Sequence, residues 1–473
     1  MLLWLIIRLK CLINRRLLKS LKESRHHPYY TFTMLRTKNY SEETDVLEIE
    51  NGLESNQEIR NIQQMWDTAI ALQKAGAYDT EAMYKIYKNM NPKLTFQDIA
   101  NVCSGVYADT YWSNIFMDPA LLAKSLVQGL GLDLGTANTI AGIAISQWRG
   151  VLSRKNINDT GVIPTQGDYS QSIDIVCNQN TQLDTDQVIE QWNNQFWQMP
   201  QVGKNYIYAR CANTNFLGDI TTPKVQMFYS TGGFNQPPTA WTQCFTANNG
   251  TAIGDVVLEG GKPGPLGAGI RGVSEAFMLN PTSTQHICVI SAITSDFFAK
   301  NNPLKITLGN WNSSTYITHN GASAWHNFDP QIKTEDQLSF YNQDNTEEEF
   351  TFVARCKNVP IGSKIALKSD DPAVRFDSGI IVTTSTTQVI KISAILPGNY
   401  AGTLKVRFED ANGKLLTANA ALEISMLWKL KQGHVHYVDA IKQLGAVETL
   451  RSLREVQLSM GSFTLTGGLP IKN

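Results

Sequence analysis

The chain has 473 residues, room for about three domains at roughly 150 residues each, and 42% of it is hydrophobic, so core size sets no obstacle. Lys and Arg number 41 against 42 Asp and Glu, a net charge of −1, which removes the electrostatic basis for general nucleic-acid binding. The seven cysteines are odd in number and form no C-x-x-C pair, so no zinc ribbon or thioredoxin motif is present. They read as small buried hydrophobes, with one disulfide in the first β-domain as the alternative.

Residues 1–44 begin with a helical stripe of Leu2, Leu5, Ile6, Leu9, Leu12 and Ile13 interleaved with Arg8, Lys10, Arg15, Arg16 and Lys19. This is the pattern of a basic amphipathic helix on an anionic membrane surface. Its uninterrupted apolar run ends before Arg8, short of the roughly 20 residues a span needs. The charge order reverses that of a secretory signal; the other reading is a leader upstream of a true start at Met34. Residues 45–150 read as a helical domain, with Ile59, Ile62, Met65, Trp66, Ile70 and Leu72 at helical spacing and a second helix after Asp79-Thr80-Glu81. Within it, 121–147 is apolar and carries Gly129, Gly131, Gly135 and Gly142, residues accepted where helices pack closely. Turn residues mark 151–171 as a linker.

A first β-sandwich is expected over 172–327, with strands at 173–177, 206–211, 224–229, 286–293 and 304–308. Between them 231–285 reads as one long Gly- and Pro-bearing loop, the kind of segment in which function tends to reside, and removal of 250–272 is expected to leave folding intact. A second sandwich is expected over 328–426, with strands at 350–356, 364–367, 389–395, 404–408 and 420–424 and an Asp410-Ala411-Asn412-Gly413 hairpin turn. Residues 427–473 read as a C-terminal tail with a helix through 438–453.

The two sandwiches share a strand. Ala209-Arg210-Cys211-Ala212-Asn213 recurs 145 residues later as Ala354-Arg355-Cys356-Lys357-Asn358. A period of two places Ile207, Ala209 and Cys211 on a core face and Tyr206, Tyr208 and Arg210 on a solvent face, with Phe352, Ala354 and Cys356 matching the core face. Together with Ser172-Ile173-Asp174-Ile175 and Val225-Gln226-Met227-Phe228-Tyr229, these strings resemble the Ig-like adhesion-type sandwiches of the CARDB kind over roughly 172–425. The resemblance implies two Ig-like antiparallel sandwiches. The fold class expected is therefore multidomain α plus all-β: a helical N-terminal domain, two Ig-like β-sandwiches and a short tail.

Motifs for chemistry are sparse. Leu132-Asp133-Leu134-Gly135-Thr136-Ala137-Asn138-Thr139 resembles the first phosphate loop of actin-like ATPases, but the second Asp-x-Gly-x-Gly-Thr loop and the adenosine-site glycines are missing. Gly260-Gly261-Lys262-Pro263-Gly264 lacks the phosphate-loop frame. His434-Val435-His436 places two imidazoles on one face with no third metal ligand implied. Tryptophan placement says more, because Trp192, Trp197, Trp241, Trp311 and Trp325 fall in the first sandwich and none lies between Phe328 and Leu427. With Asn193 beside Trp192 and Asn310 beside Trp311, indole faces and amides suit recognition of a protein or glycan surface; filling the sandwich core is the other use of these rings.

The expectation is thus a non-enzymatic modular binding protein, exported or at a cell surface, using Trp192, Trp197, Trp241, Trp311, Asn193 and Asn310, with no cofactor, no metal and no nucleic-acid partner. The first alternative is a membrane-active effector or toxin that inserts 121–147, in which Asp133 costs about 3 kcal/mol at a bilayer centre. The second is actin-like nucleotide binding at 132–139.

Overall fold

The computed structural model describes residues 133–467 except 145, 147, 149, 215–218, 284–285, 296–300, 305–312, 329–333, 418 and 445–452, together with 120, 123, 124 and 127. All belong to one compact unit, 58–473. The leader over 1–44, the helices expected before residue 120 and all but Leu304 of the strand expected at 304–308 lie outside the described residues.

Helix α1 (Leu134–Ala144) opens at Asp133, whose carboxylate accepts the Thr136 N–H at 2.9 Å while its carbonyl accepts that of Ala137. Asp133 is thus an N-cap, and hydrogen bonds from Thr136 hold its carboxyl below the usual range. The helix buries Ala137 and Ala141, one turn apart, and exposes Leu134. Among the described residues no helix is long and apolar enough to cross a membrane.

The first β-region comprises β1 (Val151–Leu152), β2 (Ile175–Asn178), α2 (Thr185–Glu190), β3 (Asn205–Asn213), β4 (Lys224–Thr231), β5 (Gly233–Phe234), β6 (Thr242–Gln243), β7 (Phe245–Thr246), β8 (Gly254–Leu258), β9 (Lys262–Pro263), β10 (Arg271–Ser274), β11 (Phe277–Leu279), β12 (Ile287–Thr294), α3 (Ser313–His319) and β13 (Ser323–Phe328). Hydrogen bonding links strands in the order β13-β12-β4-β8-β10-β3-β11-β7, and β1 and β2 also pair with β3. On β3 the alternation holds: Ile207, Ala209 and Cys211 enter the main core with Ile175 and Cys177. Its other face was expected to meet solvent and does not. Asp184 caps α2 by accepting the Asp186 N–H, and the helix lays Val188 and Ile189 over Tyr206, Tyr208 and Val176 in a second cluster.

Residues 231–285, expected as one loop, instead supply strands β5 to β11. Strands β8 and β10 sit inside the sheet between β4 and β3, with Val256, Val257 and Val273 buried. Removal of 250–272 therefore cuts the sheet, contrary to the tolerance expected for a loop. The strands are too short for a period of two to stand out between their glycines and prolines. One of those glycines is forced: a Cβ at Gly254 would sit 2.9 Å from the Phe277 ring.

The second β-region comprises β14 (Glu335–Tyr341), β15 (Glu348–Lys357), β16 (Lys364–Ser369), β17 (Phe376–Asp377), β18 (Ile381–Val382), β19 (Val389–Leu396), β20 (Ala401–Glu409), β21 (Ala421–Lys431), α4 (Tyr437–Gln443) and β22 (Glu455–Thr466). One sheet runs β17-β16-β20-β14-β5 with β18 on β16; the other runs β19-β15-β21-β22. Phe350, Phe352, Ala354 and Cys356 of β15 are buried with Leu338, Phe340, Leu404 and Val406 of the facing sheet. The turn at Asp410-Ala411-Asn412-Gly413 forms, with Gly413 at φ 79° and the Asp410 carboxylate accepting from the Asn412 and Lys414 amides at 2.8 Å. It is not a hairpin, since β20 and β21 lie in different sheets. Past residue 427, β21 continues to Lys431 and β22 pairs along it, with a bulge between Ser425 and Leu427.

The two regions are joined through their cores. β5 pairs parallel with β14, Gly233 opposite Ser339 and Phe234 opposite Phe340. Phe234 then meets Phe463 of β22 edge-on with ring centroids 4.5 Å apart and Phe352 at 6.4 Å. The Asn327 amide donates to the Ser462 carbonyl at 2.7 Å and the Ser314 hydroxyl to the Ser459 carbonyl at 3.0 Å.

Candidate functional site

The tryptophans do not form one surface. Trp241 is buried and meets Trp325 edge-on at 5.6 Å and Phe228 at 6.1 Å, with its indole N–H donating to the Gln236 carbonyl at 3.0 Å. Trp197 is half-buried and packs edge-on against His326 at 5.3 Å and Phe328 at 5.6 Å. Trp325 and His326 are successive residues of β13 and point to opposite faces, so Trp241 and Trp197 lie on opposite sides of that strand. Trp311 and Asn310 lie outside the described residues. His326 donates from Nδ1 to the Ser172 carbonyl at 2.6 Å, and burial pulls its pKa down to about 4.

Trp192 occupies a different place, beside a buried ionic cluster. The Asp174 carboxylate receives Arg154 in a fork, Nε to Oδ2 at 3.0 Å and Nη2 to Oδ1 at 2.7 Å, and also accepts the Arg154 backbone N–H at 2.7 Å. Arg210 Nε lies 3.3 Å from the same carboxylate without being aligned to hydrogen-bond, while its outer nitrogens donate to the carbonyls of Gln191, Ile173 and Asn194. Burial lowers the Arg210 pKa and Asp174 opposes that; a guanidinium stays charged throughout the working range. Trp192 lies under the Arg154 guanidinium at 3.8 Å, with Arg271 at 5.2 Å and Arg210 at 5.9 Å. These are cation–π distances. Trp192 is buried and Asn193 beside it is exposed, as Arg271 is in part. The arrangement fastens three segments, around 154, 174 and 191–194, to β3. Sequence alone could not find it, because the partners of Arg210 are far apart in the chain and nothing in Asp174 signals burial.

The outer surface of the first region is built differently. Thr246 and Gly254 approach each other over Phe277; Phe245, one residue before Thr246 on β7, points the other way, and Ile253 lies in the bend just before β8. Both are 49% exposed. Phe245 is opposite Met278 of β11, and β7 ends the hydrogen-bonded order of the sheet. The loop between Phe245 and Ile253 is closed by the Thr246 N–H donating to the Thr251 carbonyl at 2.8 Å, and the Gln243 amide fastens its base by donating to the carbonyls of Met227, Cys244 and Ala252 at 2.9, 2.9 and 3.3 Å. Exposed apolar side chains on a fastened loop beside the end strand of a sheet are a surface suited to a partner.

The described cysteines, Cys177, Cys211, Cys244, Cys288 and Cys356, are free and buried. Burial raises the pKa of Cys177, Cys211 and Cys244, and that of Cys356 to about 11, which suppresses the thiolate. His434 and His436 lie in the second region, their rings 5.6 Å apart and 5.1 and 5.3 Å from Trp428.

No protein-family model and no curated protein matches the chain. Among solved structures, the secreted serine protease VesC of Vibrio cholerae aligns at 10% identity and a TM-score of 0.17, over 45% of this chain and 44% of that one. The chain thus spans less than half of that protease. A partial N-terminal region of an enterococcal surface protein aligns at 7% identity and a TM-score of 0.17, over 68% of this chain and 99% of that one. The collagen-binding domain of the Erysipelothrix rhusiopathiae surface protein RspB aligns at 10% identity and a TM-score of 0.12, over 57% and 91%. Scores at this level carry no inference about family or function, and what stands is a mostly antiparallel, multi-sheet β-fold.

Proposed function

We propose that this chain is a non-enzymatic binding protein, exported or at a cell surface, which recognises a protein or glycan surface through its first β-region. The observation that carries this reading is the loop of residues 245–253, whose apolar side chains Phe245 and Ile253 are each 49% exposed on backbone held by Gln243. Trp192 and Trp241 serve as anchors inside the first region, Trp192 against the Arg154 guanidinium and Trp241 against Phe228, Trp325 and the Gln236 carbonyl. A duplicated, CARDB-like origin for the two regions is part of this reading, supported by the matching inward residues Ile207, Ala209 and Cys211 and Phe352, Ala354 and Cys356.

The test is binding of the full chain to immobilised extracellular-matrix proteins and to a glycan array, compared with the Phe245→Ser, Ile253→Ser double variant. At least a tenfold loss, about 1.4 kcal/mol, with an unchanged unfolding midpoint is expected. Binding that survives this change but is lost in Ile361→Ser, Val382→Ser, which alters exposed residues of the second region, would move the recognition face there.

A further inference from the structure

We propose that Asp344, Glu348 and His434 form a binding site for a divalent transition-metal ion of the zinc type on the second β-region, separate from the recognition face. The three come from two places in the chain, the turn between β14 and β15 and the turn after β21. Pairing of β15 with β21, with Phe350 opposite Trp428, brings those turns to the same end of the sheet. One ligand atom of each residue lies within 4.8 Å of the other two. His434 Nε2 is 3.4 Å from Glu348 Oε1, and donors bound tetrahedrally at about 2.1 Å from zinc are separated by about 3.4 Å. The imidazole and one carboxylate thus already stand at a ligand–ligand spacing, and the third donor is a small side-chain movement away.

The surroundings are those of a cation site. Glu348 is held by the Trp428 indole N–H, which donates to Oε2 at 3.0 Å and leaves Oε1 turned toward His434. Such outer partners orient metal ligands. The Thr346 hydroxyl is 2.8 Å from both Asp344 Oδ1 and Glu348 Oε1, yet it has a single proton to donate. The hydroxyl is therefore shared by the two carboxylates, in a corner where Asp344 is buried and its Oδ1 also accepts the Thr346 N–H at 3.0 Å. The neighbouring cation, Lys429, is directed to Glu349 and Glu455 at 3.2 and 3.3 Å. A divalent ion in this corner is offered an oxygen by each of the two carboxylates. One nitrogen and two carboxylate donors suit zinc, whereas calcium takes six to eight oxygens. Three protein donors also leave a fourth position for water or a donor from a partner.

His434 Nδ1 accepts the His436 N–H at 3.2 Å, so Nε2 carries the ring proton in the metal-free form. Ligation through Nε2 shifts that proton to Nδ1 and gives up the bond from His436. Zinc uptake is therefore expected to speed hydrogen exchange at the His436 amide, a change that simple tightening of the turn would reverse.

The experiment is calorimetric titration of the EDTA-treated full chain with zinc chloride, beside Glu348→Gln and His434→Gln, with thermal unfolding of each. Expected are saturable binding and a loss of at least tenfold in affinity in both variants at this site. His434→Gln keeps the ring's volume approximately, so it guards against a Glu348 variant that does not fold. Absence of saturable zinc binding overturns the proposal. So does binding that both folded variants retain, which would place the metal elsewhere, as at His26-His27, and so does calcium binding as tight as zinc.

Discussion

The same tripeptide, Ala-Arg-Cys, sits on a central strand of each β-region and keeps opposite company. The Arg210 side chain is 0% exposed and shares the buried carboxylate of Asp174 with Arg154. The Arg355 side chain is 41% exposed and lies 3.4 Å from Glu423, which also receives Lys357 at 2.5 Å. The inward residues on either side pack alike, and the difference comes from what covers the arginine: α2 and the 191–194 segment lie over Arg210 on β3, while on β15 Thr351 and Val353 are buried but Arg355 and Lys357 are partly open to solvent. The first region holds a connected ionic cluster in its interior, adding Lys155, while most ion pairs of the second lie on partly exposed side chains and its buried carboxylates, Asp344 and Glu409, are single. There Asp370 accepts from Lys368 and Lys405 at 2.8 Å, bonds that hold its pKa down to about 2. Identical residues in matched strands thus do different physical work once a short helix covers one of them.

The largest effect is expected where that contrast is sharpest. Asp174→Ala strands two buried guanidinium groups and is expected to destabilise the fold by about 3–5 kcal/mol, read as a fall in the denaturant midpoint. A loss below 1 kcal/mol would mean that the cluster is hydrated and the contrast false.

Lys155 comes next. Its ammonium is buried, donating to the carbonyls of Ser153 at 3.0 Å and Gly321 at 3.3 Å, and burial lowers its pKa from 10.5 to about 8, against the opposing pull of Asp159 and Asp174. Between those values the unfolded chain binds the extra proton, so this residue makes stability rise with pH from about 8 to 10.5, by up to about 3 kcal/mol. The buried thiols contribute the opposite slope. The check is therefore the difference between the parent and Lys155→Met: the parent should gain on the variant as the pH is raised, and parallel curves would show that Lys155 is ordinarily solvated.

Glu423→Ala in the second region is expected to cost less than about 1 kcal/mol, with the effect screened by salt. A salt-insensitive loss as large as that of Asp174→Ala would erase the distinction between the regions.

What could be read in the sequence was the part governed by local alternation. β3 and β15, with their inward triplets, follow from a period of two, as do β4, β12 and β19. The solvent face assigned to Tyr206, Tyr208 and Arg210 failed because its cover, α2, is six residues long and too short to show a helical period. The strands from β5 to β11 were hidden for a similar reason, two to five residues each between glycines and prolines. The octet around Asp133 looked like a phosphate loop because capping a helix and cradling a phosphate favour the same residue types. Of the candidate site, Trp192 and Asn193 were visible by type, but Phe245 and Ile253 were not, since exposure depends on which neighbour a two-residue strand or a loop packs against. His434 was visible without its partners, because Asp344 and Glu348 reach it only through the pairing of β15 with β21.

Phe463 reaches back from the last strand to Phe234, and this has a consequence for the order of events during synthesis. The first β-region is translated before the second, but part of its interior is closed by β22, whose residues 455–466 leave the ribosome only after the rest of the second region. Until then Phe234, Asn327 and Ser314 lack the ring and carbonyls they meet in the finished molecule. Contacts this distant in sequence form late, so the nascent chain must carry an open apolar seam until β22 emerges. A chain stalled before residue 455 should accordingly recruit chaperones that one stalled beyond residue 466 does not.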